Sequence, residues 1–186
     1  MRIIGGAHRG RALASVGKGD AAAHLRPTTD RVRESLFNVL AGAYGDPVGG
    51  ARVLDIFAGT GALGLEALSR GADCVCFVED GRKAQKILSD NIALLRAGAD
   101  TRVVRRDARR LGENRDAPYD LIFLDPPYGK SLGEAALQAA LDGGWVAAGA
   151  LIVWEENAAL APPDGLHLIE ARKYGDTTIS FLENKT

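Results

Sequence analysis

Cysteine is scarce in this 186-residue chain: there are two, Cys74 and Cys76. One residue apart in an apolar run, they point to the same face of a strand and are badly placed to bond to each other. No disulfide framework is expected, and the usage fits a reduced, cytoplasmic protein. No stretch approaches the ~18 consecutive apolar residues of a bilayer-spanning helix, so no membrane partner is expected. The opening Met1-Arg-Ile-Ile-Gly-Gly-Ala-His-Arg9 lacks the apolar core of a signal peptide. His8, His24 and His167 are scattered without ligand spacing to cysteine or carboxylate, and no metal is expected. Ser35 and Ser69 have no neighbouring signature of nucleophilic catalysis, and internal repeats and low-complexity tracts are missing.

What is present describes one globular unit. Apolar residues make up 46% and charged residues 25%, enough to build a core and keep it soluble. The net charge of -1 hides an asymmetry. Residues 1–40 hold seven Lys and Arg against three acids, a local +4, so the remainder sums to -5. Of the 23 cations 17 are arginine, the side chain suited to bidentate phosphate contacts and base stacking. A basic head on a slightly acidic body suggests a polyanionic partner.

Along the chain, Arg2-Ile-Ile and Gly10-Arg-Ala-Leu13 fit two short strands around a glycine-containing turn. Ser15 to Ala23 reads as a loose loop. Pro27-Thr-Thr-Asp30 is a helix start, followed by Val32, Leu36, Val39 and Leu40 at helical spacing; the helix should end near Gly42–Gly45, with a linker at Asp46-Pro47. Strands and helices then alternate: strands at Val53–Phe57, Cys74–Glu79, Thr101–Arg105, Leu121–Asp125 and Ala150–Trp154, helices at Ala62–Ser69, Arg82–Arg96 and Leu132–Leu141. Near-continuous apolar strands in such alternation predict a parallel sheet covered on both faces. Leu166–Tyr174 and Thr177–Leu182, joined at Gly175-Asp176, break the rhythm as a hairpin and make the last strand antiparallel. The expected division is a basic arm or hairpin over 1–26 and an α/β, Rossmann-like domain over 27–186.

Two loops carry the chemistry. Gly59-Thr-Gly-Ala-Leu-Gly64 satisfies G-x-G-x-x-G between a strand and a helix, where backbone approaches a ligand closely at a helix N-terminus. A dinucleotide pyrophosphate is the usual occupant, but Asp55 lies four residues upstream and would repel it. A carboxylate there attracts a cation instead, and S-adenosylmethionine carries an ammonium and a sulfonium. The run Asp55-Ile-Phe57-Ala58-Gly59-Thr-Gly61 resembles the first motif of S-adenosylmethionine-dependent methyltransferases. Glu79, ending the second strand, can accept from both ribose hydroxyls, a logic shared with NAD sites. The second loop is Asp125-Pro126-Pro127-Tyr128, after the fourth strand. The prolines fix an extended turn with no free N–H, so acceptors stand in a rigid array, and Tyr128 offers a face on which a planar base can stack. This loop resembles the (Asn/Asp)-Pro-Pro-(Tyr/Phe) loop of amino-methyltransferases. An exocyclic amine is a poor nucleophile, its lone pair delocalised into the ring. Two acceptors holding its N–H bonds aim that lone pair, and Asp125 can take the proton released. The target base must be unpaired or flipped out.

With both loops placed, nearly the whole chain resembles the bacterial 16S ribosomal RNA guanine-N2 methyltransferases. The resemblance rests on Arg2-Ile-Ile-Gly-Gly6, Arg9-Gly-Arg11, the block Arg26-Pro-Thr-Thr-Asp-Arg31-Val-Arg33-Glu-Ser-Leu-Phe-Asn38, Val53 to Gly71, Asp120 to Gly129 and Tyr174-Gly-Asp-Thr177. It implies a class I methyltransferase fold: a seven-stranded, mostly parallel sheet with an antiparallel last strand and an N-terminal arm. It implies methyl transfer from S-adenosylmethionine to one guanine N2 of 16S rRNA, on the small (30S) subunit or its assembly intermediate, by a monomer. Asp55, Phe57, Ala58, Gly59, Gly61, Glu79, Asp107 and Ala108 are the implied cofactor contacts, with Asp107 toward the adenine amine. Asp125, Pro126, Pro127 and Tyr128 form the target-base loop, and Arg9, Arg11, Arg26, Arg31 and Arg33 contact RNA. The cluster Arg102, Arg105, Arg106, Arg109 and Arg110 is either a second RNA face or a neutraliser of nearby acids. The match weakens at Ala12, where a cation is expected, and over Ser15 to Leu25. Two rivals stand beside this reading. An adenine-N6 or other amino-methyltransferase acting on DNA or RNA shares the Asp-Pro-Pro-Tyr chemistry, although on DNA it would need a target-recognition domain. A non-catalytic RNA-binding assembly factor would be expected to carry degraded loops, and both loops are intact.

Overall fold

The computed structural model describes residues 1–15, 29–127, 131–157 and 161–186. Helix α1 (Asp30–Ala43) starts where Thr29 caps it, its hydroxyl accepting from the Val32 amide at 3.3 Å. Leu36, Phe37 and Leu40 lie on its buried stripe. The alternating region then runs β1 (Arg52–Ile56), α2 (Ala62–Ser69), β2 (Cys74–Val78), α3 (Arg82–Leu94), β3 (Thr101–Val104), β4 (Tyr119–Leu124), α4 (Leu132–Asp142), β5 (Val146–Glu156), β6 (Leu166–Tyr174) and β7 (Thr177–Asn184).

Among the described residues, seven strands form one sheet in the order β3-β2-β1-β4-β5-β7-β6. From β3 to β5 all pairs are parallel, and β7 runs antiparallel to both β5 and β6. This is the architecture that the strand-helix alternation predicts. The apolar strands have both faces to fill. On one face Val53, Phe77, Phe123 and Phe181 pack with Phe37, Leu65 and Leu88 from α1, α2 and α3. On the other, Ile56, Val78, Leu124 and Trp154 pack with Leu137 of α4. Cys76 is sealed into this second layer and Cys74 is half-buried; both are free thiols. The β6–β7 turn falls at Gly175, whose φ of 62° suits glycine. β5 and β7 run longer than their apolar cores suggest: β5 continues to Glu156 opposite Thr178, and β7 continues to Asn184 opposite Leu166 of β6.

The N-terminal segment is a tight loop more than a pair of strands. Arg2 and Ala12 form one antiparallel bridge, flanked by Ile3 N–H to the Arg11 carbonyl at 2.9 Å and Leu13 N–H to the Met1 carbonyl at 3.0 Å. Ile3 and Leu13 are buried in the same layer as α1 and α2. Gly6 has φ 76°, and a Cβ there would stand 1.7 Å from the Ser69 carbonyl oxygen, so only glycine permits the approach.

Candidate active site

The parallel strands deliver their carboxyl ends to one edge of the sheet, the usual ligand crevice of such sheets. Ile56 of β1 lies between Val78 of β2 and Leu124 of β4. The next residues on all three strands, Phe57, Glu79 and Asp125, therefore leave the sheet side by side. Two hydrogen bonds tie the loops at that level: Ala58 N–H to the Val78 carbonyl at 3.0 Å and Asp125 N–H to the Ile56 carbonyl at 3.4 Å. The sequence places the glycine loop and the Asp-Pro-Pro loop apart by some 65 residues; the sheet makes them neighbours.

The glycine loop is bent by left-handed residues. Phe57 has φ 61°, Gly59 φ 56° and Gly61 φ 81°, and Gly61 starts α2. A non-glycine residue in that region is strained, and such strain gathers at functional loops. Gly61 and Gly64 are required by the protein's own packing: a Cβ would come within 2.4 Å of Leu88 Cδ1 at Gly61 and of the Phe77 ring at Gly64. Gly64 lets α2 lie close on β2 and β1, and Gly61 lets the loop lie against α3.

Three carboxylates meet this edge in different states. Asp55 is buried, and the Gly64 amide donates to its Oδ2 at 2.9 Å. Burial raises its pKa to about 7, against the lowering effect of that amide, with nearby Glu79 adding a smaller upward push. Glu79 receives the Gly59 amide on one oxygen at 2.8 Å and the Gly81 amide on the other at 2.7 Å. Burial still raises its pKa. Asp107 is held below the ordinary range by Arg109, whose guanidinium donates to both its oxygens, and it caps the short 3-10 turn Ala108–Arg110. Two carboxyls pushed toward neutrality by burial gain from a cationic ligand, which favours their ionised form, so the residues fit a sulfonium and ammonium donor.

Of the other implied cofactor contacts, Ala58 spends its N–H on Val78, and Ala108 is buried in the core against the sheet. Asp125 is half-buried, Pro126 buried and Pro127 half-buried. Tyr128 and Arg26 lie outside the described residues. Arg9, Arg11 and Arg31 are exposed. Arg33 is a correction to the sequence reading: its side chain is fully buried, 3.6 Å from Glu66 and 2.9 Å from Asp30, and it also donates to the Arg2 carbonyl. Facing the interior, it is closed to an RNA phosphate.

Sequence reasoning missed the residues that fix the N-terminal segment beside the glycine loop. Glu66 of α2 accepts the amides of Ile4 and Gly5, both at 2.8 Å, and pairs with Arg33 and Arg70. Ser69 accepts the His8 amide at 2.9 Å. Asn91 of α3 takes the Ala14 amide at 2.7 Å and donates to the carbonyls of Ala14 at 3.1 Å and Thr60 at 3.0 Å. One carboxamide thus joins the segment to the glycine loop. The signal was available: Glu66 is the one charge in the apolar helix ALGLEALS, and Asn91 falls on the apolar stripe of α3.

Comparison with known proteins agrees with this geometry. A family model described as Conserved hypothetical protein 95 matches residues 1–183. Ribosomal RNA small subunit methyltransferase D of Escherichia coli is 44% identical over 157 residues, 84% of this chain and 75% of that protein. The protein of the same name from Haemophilus influenzae is 33% identical over 189 residues, 99% of this chain and 94% of that one. The solved structure of yhhF from Escherichia coli superposes with a TM-score of 0.84 at 39% identity, covering 100% of this chain and 98% of that one. The chain belongs to the Conserved hypothetical protein 95 family, and with it to the methyltransferase family that includes the small-subunit ribosomal RNA methyltransferases D.

Proposed function

We propose that this protein transfers a methyl group from S-adenosylmethionine to the exocyclic N2 of a guanine in 16S rRNA, acting as a cytoplasmic monomer on the small subunit or its assembly intermediate. The observation that carries the reading is the adjacency of two loops at one sheet edge, joined by the 3.4 Å hydrogen bond from Asp125 to Ile56. The names of the relatives from Escherichia coli and Haemophilus influenzae support rRNA as the substrate class.

S-adenosylmethionine, when bound, supplies an electrophilic methyl group. The chain's own residues do the rest. Asp55 and Glu79 give the cofactor side of the crevice a negative potential, and the free lone pairs of Glu79 suit the two ribose hydroxyls. Asp107 reaches the adenine amine by giving up part of its contact with Arg109. Asp125 and the carbonyls of the Pro-Pro turn accept the amine hydrogens of guanine, turn its lone pair toward the donor, and take up the proton lost on methylation. Tyr128 stacks on the base. Arg9, Arg11 and Arg31 hold RNA phosphates without reading sequence.

The test is transfer of labelled methyl to naked 16S rRNA and to 30S particles from a strain lacking the enzyme. Incorporation into one of the two is expected. No incorporation into either removes the proposal, while labelling of DNA in preference to rRNA favours the adenine-N6 rival.

A further inference from the structure

The arginines of 102–110 separate into two places. Arg102 pairs with Asp116 at the opposite, amino edge of the sheet, where it lines a hollow with Arg52, Cys74 and Tyr119. Arg105, Arg106, Arg109 and Arg110 follow β3 at the carboxyl edge and are all exposed. β3 is the outer strand, and Glu79 N–H donates to the Val104 carbonyl at 3.1 Å, so this loop lies beside the start of α3. There Arg82, Lys83 and Lys86 add three exposed cations. The acids among them count for little. Glu79 is turned to the Gly59 and Gly81 amides, Asp107 is held by Arg109, and Asp80 alone is exposed. Arg106 is braced by a hydrogen bond to the Leu111 carbonyl at 2.6 Å.

Resting on the reading above, we propose that this rim is a second RNA-contacting surface, which takes the phosphate backbone flanking the target nucleotide. It is contiguous with the crevice, because Glu79 is shared: its carboxylate binds the glycine loop and its backbone binds β3. Five of the seven cations are arginine, and apart from Arg109, which is spent on Asp107, their planar forks suit phosphate oxygens; their arrangement along one outer edge follows a strand better than it encloses a small anion. The rim and the N-terminal arginines would grip the RNA at separate points.

The experiment measures binding of fluorescein-labelled 16S rRNA at several salt concentrations, with cofactor binding followed separately by calorimetry. Arg105→Ala/Arg110→Ala should weaken RNA binding about tenfold and flatten the salt slope by about 1.4–1.8, the loss of two phosphate contacts. Its affinity for S-adenosylmethionine should stay that of the unmodified protein. Arg102→Ala, at the far edge, should change neither. Unchanged RNA affinity and slope in the double variant, with Arg9→Ala/Arg11→Ala impaired, overturns the rim and leaves the proposed function standing. Failure of the unmodified protein to bind this RNA, either naked or assembled in 30S particles, overturns both.

Discussion

A carboxyl sealed in an apolar layer with a single amide donor, as Asp55 is, stores an electrostatic preference that a ligand can use. Its pKa of about 7 lies above the ~4 of an unfolded aspartate, so protonated Asp55 favours the folded state. That contribution is complete below about pH 4 and disappears as pH rises through about 7. The ligand-free protein should therefore lose stability over this window, measured by denaturant titration across pH. A cationic cofactor needs the ionised form. Affinity for S-adenosylmethionine should rise about tenfold from pH 6 to pH 8, as the ionised fraction grows, and calorimetry in buffers of different ionisation enthalpy should detect proton release. A pH-independent affinity with no proton release would falsify the assignment of Asp55 to the cofactor side. Asp125 acts at the other side of the crevice. Asp125→Ala is expected to abolish turnover and to leave cofactor affinity within about tenfold, ~1.4 kcal/mol. A large loss of cofactor binding would move Asp125 to the cofactor's own site.

Among the elements, α2 has two duties, and both depend on small or buried residues. Its start must press against β2, which excludes a Cβ at Gly64: Phe77 Cε1 would be 2.4 Å away and Val75 Cγ1 2.7 Å. Gly64→Ala is expected to cost about 1–3 kcal/mol by overpacking, read by chemical denaturation; a neutral result would mean that the layer yields easily. Its middle carries Glu66, which holds the N-terminal segment and neutralises Arg33. Glu66→Ala leaves the buried Arg33 paired with Asp30 but without its fully buried acid, and strips the Ile4 and Gly5 amides of their acceptor, so a loss of about 3–5 kcal/mol is expected. Faster hydrogen exchange at the Ile4 and Gly5 amides should accompany it, and protection equal to the parent's would contradict the contact.

At the scale of the whole molecule, much of the plan was legible. Period and turn chemistry placed every strand of the sheet, and α2 falls at Ala62–Ser69 as its pattern predicts. The order of the two loops along the chain indicated that one edge gathers them, because parallel strands all end on the same side. Charge was the weaker guide. By residue type Arg33 groups with the exposed arginines, yet it stands three and four residues before Leu36 and Phe37, on the buried stripe of α1. The same holds for Glu66 and Asn91: a polar residue on an apolar stripe makes sense only once its partner is known, and their partners in the N-terminal segment lie 60 to 80 residues away in sequence. Packing thus ties the N-terminal segment to the loop beside the crevice in a way no local pattern encodes. The most direct test of the account is mass spectrometric mapping of 16S rRNA nucleotides from cells with and without this protein. The account predicts one guanine that carries a methyl on N2 only when the protein is present. Identical modification maps, or a methyl gained on adenine N6 instead, would contradict it.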